Sequence, residues 1–114
     1  MNTADRERRL KKIYLDSLPA RLEELRSMFD NILIEKQAEQ TLLKLYRLAH
    51  NLAGSSATYG FEEIGDKAAE MEDWFEGFVE SNTLPLDTDK TQFNQLFDKL
   101  LQTSEQALAT AALS

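Results

Sequence analysis

The sequence predicts an all-α protein, an up-down four-helix bundle with an additional short N-terminal helix. Two observations carry this. Apolar residues recur at alternating steps of three and four along most of the chain, which lays them on one side of a 3.6-residue helix. Only 4 glycines and 2 prolines punctuate the 114 residues, so few positions force the backbone out of helix.

The elements follow in order. The short helix is expected at about residues 3–16, with Leu10, Ile13 and Tyr14 facing inward. Ser17 then offers a cap, and Pro19 falls in a first turn where its missing N–H costs little. The bundle occupies about residues 17–112 of a single domain. Its first stripe is Leu18, Leu22, Leu25, Phe29 and Ile32, followed by a connection over 30–37 that lacks glycine and proline. Leu42, Leu45, Ala49, Leu52 and Ser56 form the second stripe. Gly60 can take the left-handed conformation that ends a helix, giving a tight hairpin. The third stripe is Phe61, Ile64, Ala68, Met71, Phe75 and Phe78, with Trp74 at the core edge. The loop from Ser81 is stopped by Pro85, with Asp87 or Thr88 as the next cap. Phe93, Leu96, Leu100, Ala107 and Ala111 form the fourth stripe, widened by Phe97, Leu101 and Leu108 and interrupted at Thr103 and Ser104.

Composition excludes several functions. The balance of 13 Lys+Arg against 20 Asp+Glu gives 13 − 20 = −7, the wrong sign for a nucleic-acid binder. With 0 cysteines and 1 histidine, disulfides, thiolate chemistry and multi-histidine metal sites are absent, and no metal is expected on the chain. No apolar run approaches the roughly 20 residues a membrane helix needs, and none follows the charged start as a signal peptide requires. The expected setting is a cytoplasmic monomer.

The stretch 49–60, AHNLAGSSATYG, departs from what helix stability alone would select. Gly54 inside a helix costs about 1 kcal/mol relative to alanine, and Ser55 and Ser56 weaken the helix further. Leu43, Arg47, His50 and Gly54 fall on one line beside the core stripe. The glycine clears one axial side of the imidazole and Arg47 borders the other. An imidazole with an ordinary pKa of about 6.5 is substantially neutral near pH 7 and keeps a nucleophilic lone pair on one nitrogen. Such a nitrogen can accept a phosphoryl group and surrender it to a carboxylate.

His50, Leu52, Gly54, Ser55 and Gly60 together resemble the H-x-L-x-G-S-x4-G core of histidine phosphotransfer (HPt) domains. YLDSLPARLEEL from Tyr14, LLKLYRLAH before the motif and the helix over 61–78 are also similar to HPt sequence. The resemblance implies an HPt-type bundle in which His50 is phosphorylated, Gly54 gives clearance to an incoming receiver domain, and Ser55 and Gly60 serve packing and turn. It implies as partners the receiver of a response regulator or a hybrid sensor histidine kinase, with no cofactor here and Mg2+ on the receiver. It further implies a phosphoryl carrier rather than an enzyme.

Where the family often places lysine three residues after the histidine, this chain has Ala53. Arg47 is the first candidate to supply the missing charge. Lys67 is the second, because a hairpin about Gly60 brings the returning helix past His50 near residues 67–70, roughly 15 Å from the turn. Leu43, Tyr46 and Phe61 are candidates for an apolar docking rim. The acidic runs, including Glu62 and Glu63, read as solvated faces. There is no G-x-x-x-x-G-K-[ST] loop for nucleotide, and nothing suggests a hydrolase nucleophile elbow. A reading of another class stays open through Ala53: a helical interaction module that binds a receiver or regulates an attached output domain without being phosphorylated.

Overall fold

The computed structural model describes residues 2–113. Four helices carry it: α1 (Thr3–Asp30), α2 (Ala38–Thr58), α3 (Glu62–Ser81) and α4 (Lys90–Ala112). They run alternately up and down as an all-α bundle, with short 3-10 turns at Ile32–Ile34 and Asp87–Asp89 in the connections.

The first correction concerns the N-terminus. The expected separate helix over 3–16 is the opening of one 28-residue helix, and Pro19 lies inside it. Ser17 does not cap; its Oγ donates to the Tyr14 carbonyl at 2.6 Å. The cap is Asn2, whose Oδ1 accepts from the Asp5 amide at 2.8 Å. An interior proline costs about 3 kcal/mol, but breaking the helix would displace Leu15, Leu18 and Leu22, whose burial is worth about 1.5–3 kcal/mol each. The stripe therefore overrides the proline.

Leu10 and Ile13 do not face inward as expected: they are 44% and 58% exposed, whereas Tyr14 is buried. Ile13 lies about 140° around the helix from Leu18, on the outer face; for Leu10 the reason is length. At about 1.5 Å per residue α1 spans roughly 42 Å against about 30 Å for α3. Its first residues therefore pass the α2–α3 hairpin and, among the described residues, are left exposed. Lys11 marks the end of the overlap, since its Nζ would lie 3.6 Å from a Cβ placed on Gly60.

The first two stripes are buried throughout, as is the third from Ile64 to Phe75. At the far end Phe29 stacks on Phe93 with centroids 3.7 Å apart. Half-buried Trp74 edges this cluster and donates from Nε1 to Gln92. The fourth stripe differs from expectation at two points. Ser104 is buried within it rather than interrupting it, and Ala111 is exposed beyond the body. Neither Asp87 nor Thr88 caps α4. Residues 87–89 form a 3-10 turn, held by Leu86 N donating to Asp89 Oδ2 at 2.6 Å, and α4 starts at Lys90.

The α2–α3 hairpin positions the site. Gly60 has φ +85°, and Phe61 N donates to Ser56 O while Gly60 N donates to Ala57 O, closing α2 in a Schellman motif. Beyond the turn, Gly65 lets the helices approach closely: a Cβ there would lie 3.1 Å from the Ala53 carbonyl oxygen. Phe61 belongs to this end, stacked with Tyr59 around Tyr14.

Candidate functional site

Helix α2 continues through Gly54 to Thr58 without a break. Core packing compels this, because Leu45, Ala49, Leu52 and Ser56 are buried on one stripe and the chain must stay in register to keep them there. The opposite face is open. It presents His50, whose side chain is 66% exposed, with exposed Arg47 one turn before it and Gly54 one turn after. A Cβ on Gly54 would meet nothing within 4 Å, so the glycine is not required by packing inside the chain.

His50 is held from one side. Its Nδ1 lies 2.6 Å from Oε2 of Glu72 on α3, a carboxylate whose side chain is only 17% exposed. A carboxylate accepts and does not donate, so the contact calls for a proton on Nδ1, and in the neutral ring the lone pair is then on Nε2. Among the described residues Nε2 has no protein partner. The ring is thereby oriented, with its nucleophilic atom turned to solvent beside the clearing at Gly54.

Glu72 was missed by sequence reasoning, and Lys67 does not take its place. Gly65 and Glu72 are seven residues apart, two helical turns, and share the strip of α3 turned to α2. Lys67 is about 200° around from Gly65 on an ideal helix, and its Nζ lies 3.8 Å from Glu70 instead. The depth estimate was also short, because helical side chains lean toward their own N-termini. His50 and Glu72 lean in opposite senses along an antiparallel pair, so residues somewhat farther apart than symmetry about Gly60 allows meet at their tips. A carboxylate in register with the imidazole across the hairpin was the available signal.

Arg47 is exposed and makes no hydrogen bond or ion pair among the described residues. Ala53 is half-buried in the α2–α3 seam. Of the docking candidates, Leu43 is 40% exposed and Tyr46 half-buried on the His50 side, while Phe61 lies at the hairpin end, about 16 Å along the chain direction. The Tyr46 phenol is held above its ordinary pKa by Glu76 first, then by partial burial and by Glu72, Glu80 and Asp73, so it stays a protonated donor.

Ser55 ties the site to α1. Tyr14 Oη lies 2.7 Å from both Ser55 Oγ and Ser56 Oγ, and Ser55 Oγ donates to Asn51 O at 2.7 Å. Counting protons gives one consistent chain: Ser56 donates to Tyr14, Tyr14 to Ser55, and Ser55 to the carbonyl of the residue after His50.

Fold and site define a helical bundle that presents a single oriented imidazole on the open face of one helix. The family model described as Hpt domain matches residues 9–111, nearly the whole chain, and the chain belongs to that family. Hpt domains act in histidine phosphotransfer within phosphorelays, as phosphocarriers that interact with receiver domains. No curated protein and no solved structure matches the chain. Among the described residues no helix is long and apolar enough to cross a membrane.

Proposed function

We propose that this chain is a phosphorelay intermediate in which His50 accepts a phosphoryl group from a receiver aspartate, or from a hybrid sensor kinase, and passes it to another receiver aspartate. The observation that carries the reading is the exposed ring tied at Nδ1 to Glu72, with Nε2 open beside Gly54. Nε2 attacks phosphorus in line as the aspartyl oxygen leaves. The receiver brings Mg2+ and most of the charge neutralisation, and Arg47 adds a guanidinium from this side. Leu43 and Tyr46 give the receiver an apolar footing near the ring, with Phe61 at the far margin. The chain works as a cytoplasmic monomer, holds no cofactor and draws on no ATP of its own.

The test is transfer from a phosphorylated receiver in Mg2+. Acid-labile, base-stable label is expected on the wild type and none on His50→Gln. Label persisting in the variant refutes the site, and absence of label with a panel of charged receivers favours an interaction module that binds without being phosphorylated.

A further inference from the structure

Glu72 is a full carboxylate at 2.6 Å from Nδ1, and its consequence extends past orienting the empty ring. Resting on the phosphorelay reading, we infer that Glu72 keeps the Nδ1 proton in place throughout transfer, so that the phosphorylated ring is carried as an imidazolium and His50 is a fast phosphoryl donor. On loading, the Nε2 lone pair forms the N–P bond while the P–O bond to the receiver aspartate breaks and its electron pair returns to that carboxylate. No proton moves, and the ring gains one positive charge directly opposite Glu72. On unloading, an aspartate oxygen attacks phosphorus, the N–P pair returns to Nε2, and neutral imidazole departs. A ring that had lost the Nδ1 proton would have to depart as imidazolate, a much stronger base and a poorer leaving group. The charge on Glu72 thus favours the reactive form of the phosphorylated site.

The groups facing the pair are consistent with this role. On α2 Tyr46 and Arg47 stand one turn before His50; on α3 Glu76 stands one turn after Glu72, and Glu76, Glu72, Glu80 and Asp73 together put negative potential on the Tyr46 phenol. Helices α1 and α4 pack on other sides. Arg21 lies over the Tyr14 ring and Gln92 accepts from Trp74, and among the described residues neither helix brings a charged group into ion-pair range of His50 or Glu72.

The experiment uses the whole chain and needs no receiver. Phosphoramidate phosphorylates imidazole nitrogen directly, and the chain has 1 histidine, so 31P NMR reads one site. Loss of the phosphoryl group to water is followed from about pH 5 to about pH 9 in wild type, Glu72→Gln and Glu72→Ala, a span that brackets ordinary imidazole titration. At the acid end the three rates agree, since solvent protonates every ring. Toward the alkaline end wild type is expected to stay about tenfold faster than both variants, the low end for an opposite charge at contact because the ring is largely exposed. Glutamine retains a hydrogen-bond acceptor without the charge, so a Glu72→Gln profile that overlays wild type overturns the inference even if Glu72→Ala differs. Separated profiles in a chain that no receiver labels would retire the relay reading alone, and overlaid profiles in a chain that receivers do label would retire this inference alone.

Discussion

Gly54→Ala should make the protein more stable and a worse phosphoryl carrier at the same time. The glycine sits inside α2, and a Cβ added there meets nothing within 4 Å. The substitution therefore gains the helix-propensity difference of about 1 kcal/mol with no packing loss. For a domain of this size that raises Tm by roughly 4 °C. The added methyl stands one turn from His50, on the surface a receiver must approach. If contact is close there, forcing a methyl into it costs about 1–3 kcal/mol, as overpacking does in cores, which lowers the transfer rate roughly 5- to 150-fold. Gly77→Ala is the control: its Cβ also meets nothing within 4 Å, but it lies on α3, about 140° around from Glu72. It should gain the same stability and transfer normally. Gly65→Ala gives the opposite contrast, since its Cβ would press on the Ala53 carbonyl at 3.1 Å, and it should lose stability. Thermal unfolding and single-turnover transfer from a phosphorylated receiver read the two quantities separately. Transfer by Gly54→Ala as fast as by Gly77→Ala would refute the close approach.

Three further outcomes are expected. Tyr14→Phe removes the hydroxyl that serves Ser55 and buried Ser56, and should cost about 1–3 kcal/mol in denaturant unfolding; an unchanged midpoint would show that the chain contributes nothing net. Arg47→Ala should slow transfer severalfold while Lys67→Ala, whose ammonium pairs with Glu70, leaves it unchanged; the reverse order would restore the sequence-based role of Lys67. Pro19→Ala supplies the amide that α1 lacks at an exposed position and should stabilise by up to about 3 kcal/mol, measured by urea titration.

Much of the architecture was legible because burial writes a periodic signal. The stripes from Leu18 to Ile32 and from Leu42 to Ser56 are buried residue for residue. The errors fall where a local signal competed with that pattern. Ser17 and Pro19 have the chemistry of a helix start, yet the buried leucines on both sides hold one helix through them. Leu10 continues the apolar rhythm, but whether anything covers it depends on where the neighbouring hairpin turns, and Ile13 falls on the outer face, about 140° around from Leu18. Gly65 was not singled out because its close contact with α2 is a property of two helices.

The same division runs through the site. The linear order of residues was enough to determine a helix bearing one imidazole, a glycine a turn later and an arginine a turn earlier, because i, i+3 and i+4 neighbours follow from helix geometry alone. Which group would stand against that imidazole from 22 residues away was decided only by folding. It depends on the register of two antiparallel helices, on how closely Gly65 lets them approach and on the opposite lean of their side chains, and a shift of a few residues would exchange Glu72 for another neighbour.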